Sequence, residues 1–330
     1  MPGPLDEFDW IASLRGLTLG DARALGLADD AAVLPGKPGF DLVISTDALV
    51  EGVHLLEGEA PEIIASRLLR TALSDLAAKA ARPFGYLLTT AWPPGRDEAW
   101  RAAFRDGLEA DGRAFGVALL GGDTVSTAGP LIVNAAVLGW VEEGRAVLRS
   151  TARAGDSLVV CGGIGDGWLG LMAARGEIED AGGSLAARYR LPTPLLSPRT
   201  ALLAHARAAA DVSDGLLADA GHIAEASGLG VTVELLDIPL SVEARAWCAS
   251  QPDEVRARLT LATGGDDYAL VCAVDPADEA AFIAEVEARG VPAGRVGRFR
   301  AELGIEATAS GQPVEANHFG WRHSDRAPGD

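Results

Sequence analysis

The chain has 330 residues, of which 23% are charged, and its formal net charge at pH 7 is −19. This length is greater than one hydrophobic core usually needs, so we expect two domains. The acidic charge argues against binding to nucleic acids or to anionic membranes. We expect a soluble cytoplasmic protein, because the N-terminus is acidic, the three cysteines are widely spaced and no apolar run is long enough to span a membrane.

Helices and strands alternate in the first half of the chain. Their periodicities predict, in order, a helix at residues 8–14, strands at 31–34 and 42–44, a helix at 61–81, a strand at 86–91, a helix at 97–115, and strands at 117–120 and 131–141. This alternation indicates an α/β or α+β first domain, which we place at residues 1–148.

The second domain, residues 149–330, begins within a polar segment at residues 145–156 that contains Arg149 and Arg153. The predicted order is a strand at 157–161, helices at 199–210 and from about 215 to 227, a strand at 231–236, a helix at 241–250, a strand at 268–274, a helix at 277–289 and a closing strand pair from 296. Ser213 or Asp214 is the expected N-cap of the helix near residue 215. The charged C-terminal residues are expected to be disordered.

A glycine-rich turn follows the strand at 157–161. Gly165, Gly167 and Gly170 match the spacing of a dinucleotide-binding fingerprint between a strand and a helix. A βαβ unit should then follow, yet residues 177–198 are polar, contain proline and predict no second strand. We therefore interpret the segment as a tight strand-to-helix turn.

Oxygen-bearing side chains follow the predicted strand at 42–44. Ser45, Thr46 and Asp47 come directly after this apolar run, where we expect the backbone to leave the core. Asp75 lies on a largely buried stripe of the predicted helix at 61–81, and a buried acid needs a partner. Hydroxyl and carboxylate oxygens are the ligands that a hard cation such as Mg²⁺ prefers.

Further acids lie at element ends, often beside glycine. Such acids cannot sit together ionised without cations, and neither Lys37 nor Lys79, the two lysines, lies in a P-loop motif. Metals held by carboxylates without a P-loop lysine indicate phosphoryl chemistry, to which Arg149 could add a fixed positive charge. The set comprises Asp29, Asp30, Asp47, Asp75, Asp123, Asp211 and Asp214.

Each of these signals also has an ordinary structural interpretation. Asp214 could serve only as a helix cap, Asp123 only as a turn residue, and His54 only as a loop histidine. We interpret the other histidines in the same way. The sequence has no His-Glu-x-x-His and no Gly-x-Ser-x-Gly, which argues against zinc proteases and serine hydrolases.

Taken together, the motifs resemble those of the thiamine-monophosphate kinase family, which belongs to the ATP-binding enzymes shaped like aminoimidazole ribonucleotide synthetase. The resemblance implies a two-domain α/β (α+β) fold with an N-terminal sheet-forming dimerisation domain that binds ATP and Mg²⁺, and a C-terminal α/β domain. It also implies a homodimer that transfers the γ-phosphoryl group of ATP to thiamine monophosphate. The motifs are Asp29-Asp30-Ala31, Ser45-Thr46-Asp47 through His54, Ser74-Asp75-Leu76, Gly121-Gly122-Asp123-Thr124, Asp211-Val212-Ser213-Asp214-Gly215 and Gly264-Gly265-Asp266-Asp267-Tyr268.

The resemblance also implies roles for individual residues, with Asp47, Asp75 and Asp123 central to catalysis. The expected ligands of several Mg²⁺ ions are Asp30, Ser45, Thr46, Asp47, Asp75, Asp123, Asp211 and Asp214. The expected ATP contacts are Gly122, Asp123, Arg149 and Ser213. The expected contacts to thiamine monophosphate are His54, Asp266 and Trp321, the last in a Gly-Trp-Arg-His tail.

Several positions depart from the family's motifs, and alternatives stay open at this point. Ala28 replaces a glycine, Lys79 stands where methionine is common, and Asp266 replaces the usual glutamate. Another ATP-using enzyme of the superfamily is the nearest alternative. Selenophosphate synthetase would need a reactive cysteine near the N-terminus, but the first cysteine is Cys161. The hydrogenase-maturation relative would end in a cysteine, but this sequence ends in Pro-Gly-Asp. A non-catalytic protein that binds nucleotide or thiamine phosphate is the other alternative.

Overall fold

The computed structural model describes residues 7–321, in which the chain forms two compact units. The first unit comprises the described residues up to Leu76 together with Ala81–Gly144, and the second comprises Ala77–Ala80 and the described residues from Arg145 onward. The charged C-terminal residues predicted to be disordered lie outside the described range. No helix within that range is both long enough and apolar enough to span a membrane.

The first unit is a four-stranded sheet with helices on one face. Its strands lie in the order β1-β4-β2-β3, with β2 and β3 parallel and the other pairs antiparallel. Two 3-10 helices, Leu14–Thr18 and Ala22–Leu27, precede the sheet. The elements are α1 (Glu7–Ser13), β1 (Phe40–Val50), α2 (Pro61–Ala78), β2 (Arg82–Trp92), α3 (Glu98–Phe115), β3 (Ala118–Ser126) and β4 (Ile132–Glu142).

Helices α2 and α3 supply the core of the first unit. Pro61 opens α2, where its missing N–H costs nothing, and Ile64, Leu68 and Ala72 are fully buried at helical spacing. Gly107 of α3 packs directly on the backbone of α2, where a side chain would not fit. The two helices are therefore pressed closely together on one face of the sheet.

The opposite face of this sheet is only partly covered. The segment from Ala24 to Leu34 packs at one end, against Ala118, Leu120 and Leu138. Leu42 and Ile44 of β1 point to the uncovered part and are 40% and 60% exposed. We call this uncovered surface the open face, and the surface beneath α2 the covered face.

Three strand predictions for the first unit were wrong. Residues 31–34 form no strand, because Ala32 and Leu34 pack against the sheet instead of pairing with it, and Val33 is exposed. β1 continues through Ser45–Asp47 rather than ending before them, because β4 pairs with all of its residues. β3 likewise continues through Gly121–Thr124.

The second unit is a seven-stranded sheet with helices on both faces. Its order is β11-β10-β7-β9-β5-β8-β6, and β10 and β7 are its parallel pair. The strands are β5 (Ser157–Cys161), β6 (Ala206–Asp211), β7 (Gly230–Glu234), β8 (Leu270–Val274), β9 (Ala293–Arg300), β10 (Gly304–Ala309) and β11 (Gln312–Val314). The helices are α4 (Asp166–Ala174), α5 (Ser184–Arg190), α6 (Arg199–His205), α7 (Leu216–Ala226), α8 (Val242–Ser250), α9 (Glu254–Ala262) and α10 (Glu279–Glu287).

Side-chain alternation along β5 divides the core of this unit. Leu158 and Val160 enter one apolar cluster, which includes residues of α7, α8 and α9, whereas Val159 and Cys161 enter the other, which includes residues of α6 and α10. Both sheet faces are therefore covered, and β5 and β8 are buried along their whole lengths.

Two predictions for the second unit were wrong. Residues 206–210 form a strand rather than the end of a helix, because Ala208–Ala210 are fully buried and pair with β8. The N-cap of α7 is Gly215, which has no side chain to cap the helix, rather than Ser213 or Asp214. The backbone N–H groups before α7 are bonded in a different way, described below.

Candidate active site

A compact group of oxygen ligands lies on the covered face of the first unit. Ser45 and Asp47 are two residues apart on β1 and therefore point to the same face, toward α2. The hydroxyl of Ser45 donates to the carboxylate of Asp75 on α2, with an oxygen–oxygen distance of 2.5 Å. Thr71, one helical turn before Asp75, hydrogen-bonds the side chain of Asp47. We call Ser45, Asp47 and Asp75 the acidic cluster.

The acidic cluster places two carboxylates close together. Burial, reinforced by repulsion from Asp75, raises the pKa of Asp47 from 3.8 to about 6, although the Thr71 hydrogen bond and the positive charge of Arg67 oppose the rise. Two partly buried acids that repel each other are destabilising unless a cation lies between them. The hydroxyl and carboxylate oxygens are those that Mg²⁺ prefers.

Thr46 and Asp123 lie on the open face instead. Across the sheet, Asp123 of β3 lies in register with Thr89 of β2, Asn134 of β4 and Ala48 of β1. Residues in register share a face, and Ala48 is next to Asp47 on β1, so the side chains of Asp123 and Asp47 are on opposite faces. Asn134 donates to the hydroxyl of Thr46 at 2.9 Å. Three strand spacings of about 4.8 Å separate β1 from β3, or roughly 14 Å in all. Within the unit, Asp123 is therefore not brought to the acidic cluster.

The other predicted residues of the first unit lie at the ends of β1 and on β3. Asp30 is exposed in the segment before β1, and its N–H donates to the carboxylate of Asp29 at 2.8 Å. His54 follows β1, and its Nδ1 accepts from the backbone N–H of Val50 at 3.2 Å. Nδ1 is thus an acceptor, which leaves the proton of the neutral ring on Nε2.

In the second unit, Asp219 holds the loop between β6 and α7. One carboxylate oxygen accepts the backbone N–H groups of Ser213, Asp214 and Gly215 at 3.1, 3.1 and 3.2 Å. Burial, with repulsion from Asp211 and Asp214, raises the pKa of Asp219 to about 8 despite the N–H of Asp214 and the charge of Arg149. Asp219 therefore fixes the loop that carries Ser213 and Asp214.

Two further predicted segments converge on this loop. The backbone N–H of Asp266 donates to the carbonyl of Ser213 at 2.8 Å, and the N–H of Tyr268 donates to that of Val212 at 2.8 Å. The N–H of Trp321 donates to the carbonyl of Asp214 at 2.9 Å. Ser213, Asp214, Asp266 and Trp321, which are far apart in the sequence, are therefore brought together in the second unit.

Arg149 lies near the C-terminal end of α7, the helix that follows this loop. It begins a short 3-10 helix, and its carbonyl accepts from the hydroxyl of Ser227, just beyond the end of α7. Its positive charge opposes the rise in the pKa of Asp219. The predicted contact between Arg149 and ATP remains a prediction.

Several residues of the site were not predicted individually. Asp219 and His222 of α7 offer ligand atoms within 4.8 Å of each other and of Asp214, which is close enough to share a cation. Asp219 lies in the first turn of α7, where acidic residues are common because they interact well with the helix N-terminus. Its sequence position therefore gave no signal, and what marks it as a site residue is the three N–H bonds that it accepts from the preceding loop. Asp267 is partly buried and accepts N–H bonds from Gly165 and Gly167. Desolvation raises the pKa of Asp267 to about 8, although those two bonds oppose the rise.

Both halves of the chain match described protein families. Residues 28–141 match the model for the AIR synthase related protein, N-terminal domain, and residues 153–309 match the model for its C-terminal domain. These matches confirm the predicted two-domain fold class. The boundary placed between residues 148 and 149 remains a prediction.

Individual proteins match over nearly the whole length. The chain is 54% identical to the thiamine-monophosphate kinase of Caulobacter vibrioides over 321 residues, which cover 97% of this chain and 91% of that protein. The crystal structure of thiamine-monophosphate kinase from Stenotrophomonas maltophilia superposes with a TM-score of 0.82 at 34% identity, covering 94% of this chain and 98% of that one. The structure of AaThiL complexed with AMPPCP and TMP gives a TM-score of 0.75 at 26% identity, covering 96% of each chain.

Proposed function

The chain belongs to the thiamine-monophosphate kinase family, as its motifs predicted, and from that premise we propose how its residues serve the reaction. The enzyme transfers the γ-phosphoryl group of ATP to thiamine monophosphate and releases ADP and thiamine diphosphate. Membership of this family decides against the other superfamily enzymes and against a protein that only binds these ligands.

We propose direct in-line transfer without a general base. The acceptor is a phosphate monoester, whose second pKa of about 6 leaves it largely dianionic at pH 7. It therefore needs no proton removed before it attacks. The side chains of this enzyme then have two tasks, which are to align two anionic phosphates and to offset the negative charge between them.

The acidic cluster is the proposed centre of Mg²⁺ binding in the first unit. Its hydroxyl and carboxylate oxygens suit Mg²⁺, and Ser45 joins β1 to Asp75 of α2. Burial, with repulsion from Asp75, raises the pKa of Asp47, and a bound cation would relieve that repulsion. Ser45, Asp47 and Asp75 would hold the ion, and a bound Mg²⁺ would supply positive charge that offsets the negative charge of the phosphates. The meeting of Ser45, Asp47 and Asp75 on one face is the observation that supports the metal assignment. Thr46, Asp30 and Asp123 are proposed as further ligands.

The loop between β6 and α7 is the proposed phosphate-binding element of the second unit. Asp211 and Asp214 are proposed as metal ligands, and Ser213 and Arg149 as ATP contacts. For the first unit, Gly122 and Asp123 are the proposed ATP contacts. Asp266, Trp321 and His54 are the proposed contacts to thiamine monophosphate. The backbone bonds that join Asp266 and Trp321 to the loop support this grouping.

We also propose that two copies associate through the open face. Apolar side chains exposed on a regular sheet are typical of a surface covered by another protein. Asp123 projects from the same face, so pairing would bring it to the contact between copies. The free, buried cysteines fit the proposed cytoplasmic location. The exposed apolar side chains are Leu42, Ile44, Leu87, Val125 and Ile132.

Substitution in the acidic cluster tests the metal assignment. We expect Asp47→Asn and Asp75→Asn to lower kcat by about 100-fold or more while the fold stays intact, because each removes a charged ligand. Glu109→Gln, which removes one charge from an exposed position on α3, is the matched control and should keep wild-type activity. Near-normal turnover in either cluster variant, at saturating Mg²⁺ and with an unchanged circular dichroism spectrum, contradicts the assignment.

A further inference from the structure

The glycine-rich turn between β5 and α4 is shaped by close packing. Gly165 has a φ of +91°, which favours glycine. A methyl group at Gly167 would overlap the carbonyl of Asp266, and one at Gly170 would overlap the carbonyl of Leu185. The glycines that match a dinucleotide fingerprint therefore allow two other segments to approach the turn.

The N–H groups of this turn are bonded to a side chain of the protein itself. The N–H of Gly165 lies 2.9 Å from both carboxyl oxygens of Asp267, and the N–H of Gly167 lies 2.9 Å from Oδ1. In a dinucleotide-binding fold, such groups receive the phosphates of the cofactor. Here the carboxylate of Asp267 occupies these N–H groups, so they are already bonded within the protein.

Asp267 lies in the middle of a loop with an unfavourable backbone. The flanking residues Asp266 and Tyr268 have φ values of +63° and +51°, in the left-handed region that residues with side chains seldom adopt. Such a conformation persists only where the surroundings impose it, and it is concentrated at functional sites. The hydroxyl of Tyr268 also donates to the carboxylate of Asp266 at 3.0 Å, which orients that side chain.

We infer that Asp267 is a positioning residue for the binding of thiamine monophosphate. By bonding to Gly165 and Gly167 it anchors the loop Gly264–Tyr268 on the turn before α4, and so holds Asp266 in its left-handed conformation. The inference rests on the proposed contact between Asp266 and the substrate. Asp267 itself is partly buried, its carboxylate is bonded to the turn, and it acts through Asp266.

The ATP side of the site has an anchor of its own. Asp219 holds the backbone of Ser213, Asp214 and Gly215 through one N–H bond from each, and none of these bonds involves Asp267. Loss of the Asp267 bonds should therefore displace Asp266 more than Ser213. The consequence is a selective rise in the KM for thiamine monophosphate, which general destabilisation of the unit would not produce.

The test is Asp267→Asn, with Asp267→Ala as the stronger variant. Asn keeps one acceptor oxygen but directs an NH₂ group toward the N–H of Gly165. We expect the KM for thiamine monophosphate to rise about 10-fold or more and that for ATP to change less than about twofold, since small displacements of a positioned group are costly. Amide hydrogen exchange should become faster in peptides covering residues 163–168 and 264–269, and stay unchanged in α10.

Asp166→Asn is the matched control. Asp166 lies in the same turn, but its carboxylate bonds to Ser241 at 2.6 Å and to Arg188 at 2.9 Å rather than to the turn's N–H groups. It should leave the KM for thiamine monophosphate and the exchange of residues 264–269 at wild-type values. The inference would be overturned if Asp166→Asn changed the KM for thiamine monophosphate and the exchange of residues 264–269 as much as Asp267→Asn does.

Asp266→Ala separates the inference from the proposed function. If Asp266→Ala raises the KM for thiamine monophosphate and Asp267→Asn does not, the inference is wrong and the substrate contact stands. If Asp266→Ala leaves that KM unchanged, the contact itself is wrong and the inference falls with it. A parallel rise of both KM values in Asp267→Asn, with faster exchange throughout the unit, would also overturn the inference, since it indicates general loosening.

Discussion

Asp47 combines the two properties expected of a metal-binding acid, partial burial and a like-charged neighbour. Burial and the charge of Asp75 together raise its pKa to about 6, so the protein favours the neutral form of this side chain. A cation needs the ionised form. Protonation and metal binding therefore compete for the carboxyl group of Asp47, and metal binding should become stronger as pH rises.

The pH dependence of stability follows from this competition. In the folded protein the pKa of Asp47 lies above its ordinary value of 3.8, so the stability it contributes is complete below about pH 4 and is lost as pH rises through about 6. Mg²⁺ recovers that loss only where the carboxyl is ionised. We expect Mg²⁺ to raise Tm by on the order of 2–4 °C more at pH 7.5 than at pH 5, as measured by thermal unfolding.

The control for this experiment is Asp47→Asn, which cannot titrate at this position. Its Mg²⁺-induced change in Tm should differ less between the two pH values than that of the wild type. An equal Mg²⁺ effect at pH 5 and pH 7.5 in the wild type would show that Asp47 does not govern metal binding.

At the scale of elements, β2 and β3 leave no room for a side chain at Gly122. A methyl group there would overlap the carbonyl oxygen of Leu88, whereas one at Gly121 would meet only a methyl of Leu87 at 3.5 Å. Gly122 is thus required by strand packing as well as proposed to contact ATP. The two adjacent glycines have different reasons to be present.

Substitution of each glycine separates these reasons. Gly122→Ala should lower the free energy of unfolding by about 2 kcal/mol, because overpacking forces the strands apart. Gly121→Ala should change it by less than about 0.5 kcal/mol, since flexible side chains adjust. Urea denaturation measures both. Equal stability of the two variants would contradict the packing at Gly122.

Most elements follow from local periodicity, and the exceptions have physical causes. The helix at α2 and the strand at β5 were predicted from spacing alone. Residues 206–210 were predicted as helix because alanine favours helices, but burial beside β8 overrides that preference. Ser45–Asp47 lie within a strand because β4 is long enough to pair with all of β1, which no local signal reveals.

The site was predictable in its residue types but not in its grouping. Glycine-punctuated acids indicated where metals and phosphates could bind, and Ser45 does meet Asp75. The opposite faces of Asp47 and Asp123 depend on the register of four strands, which is a non-local property. Asp219 and Asp267 were missed because their partners are backbone N–H groups, which leave no mark in the sequence.

At the scale of the whole molecule, the open face of the first unit exposes a group of apolar side chains that the described residues of that unit do not cover. Ile44 at 60% exposure and Val125 at 46% lie on it, although exposed apolar side chains are usually scattered. Association of two copies through this face would bury them. We therefore expect a dimer of twice the chain mass of 34.0 kDa.

Light scattering of the wild type and of Ile44→Asp tests the dimer. The variant places a charge in the open face and should shift the mass toward that of one chain, with loss of activity if the contact completes the site. Val242→Asp is the matched control, because Val242 is 80% exposed and belongs to the second unit, so it is not part of the sheet that carries the open face. A monomeric wild type rules out the dimer.

The reaction itself is tested most directly by ADP release from purified protein with ATP and Mg²⁺, with and without thiamine monophosphate, while chromatography follows thiamine diphosphate. The account predicts release that depends on thiamine monophosphate and equals the thiamine diphosphate formed, mole for mole. Release that is independent of thiamine monophosphate, or no release from folded protein, would contradict it.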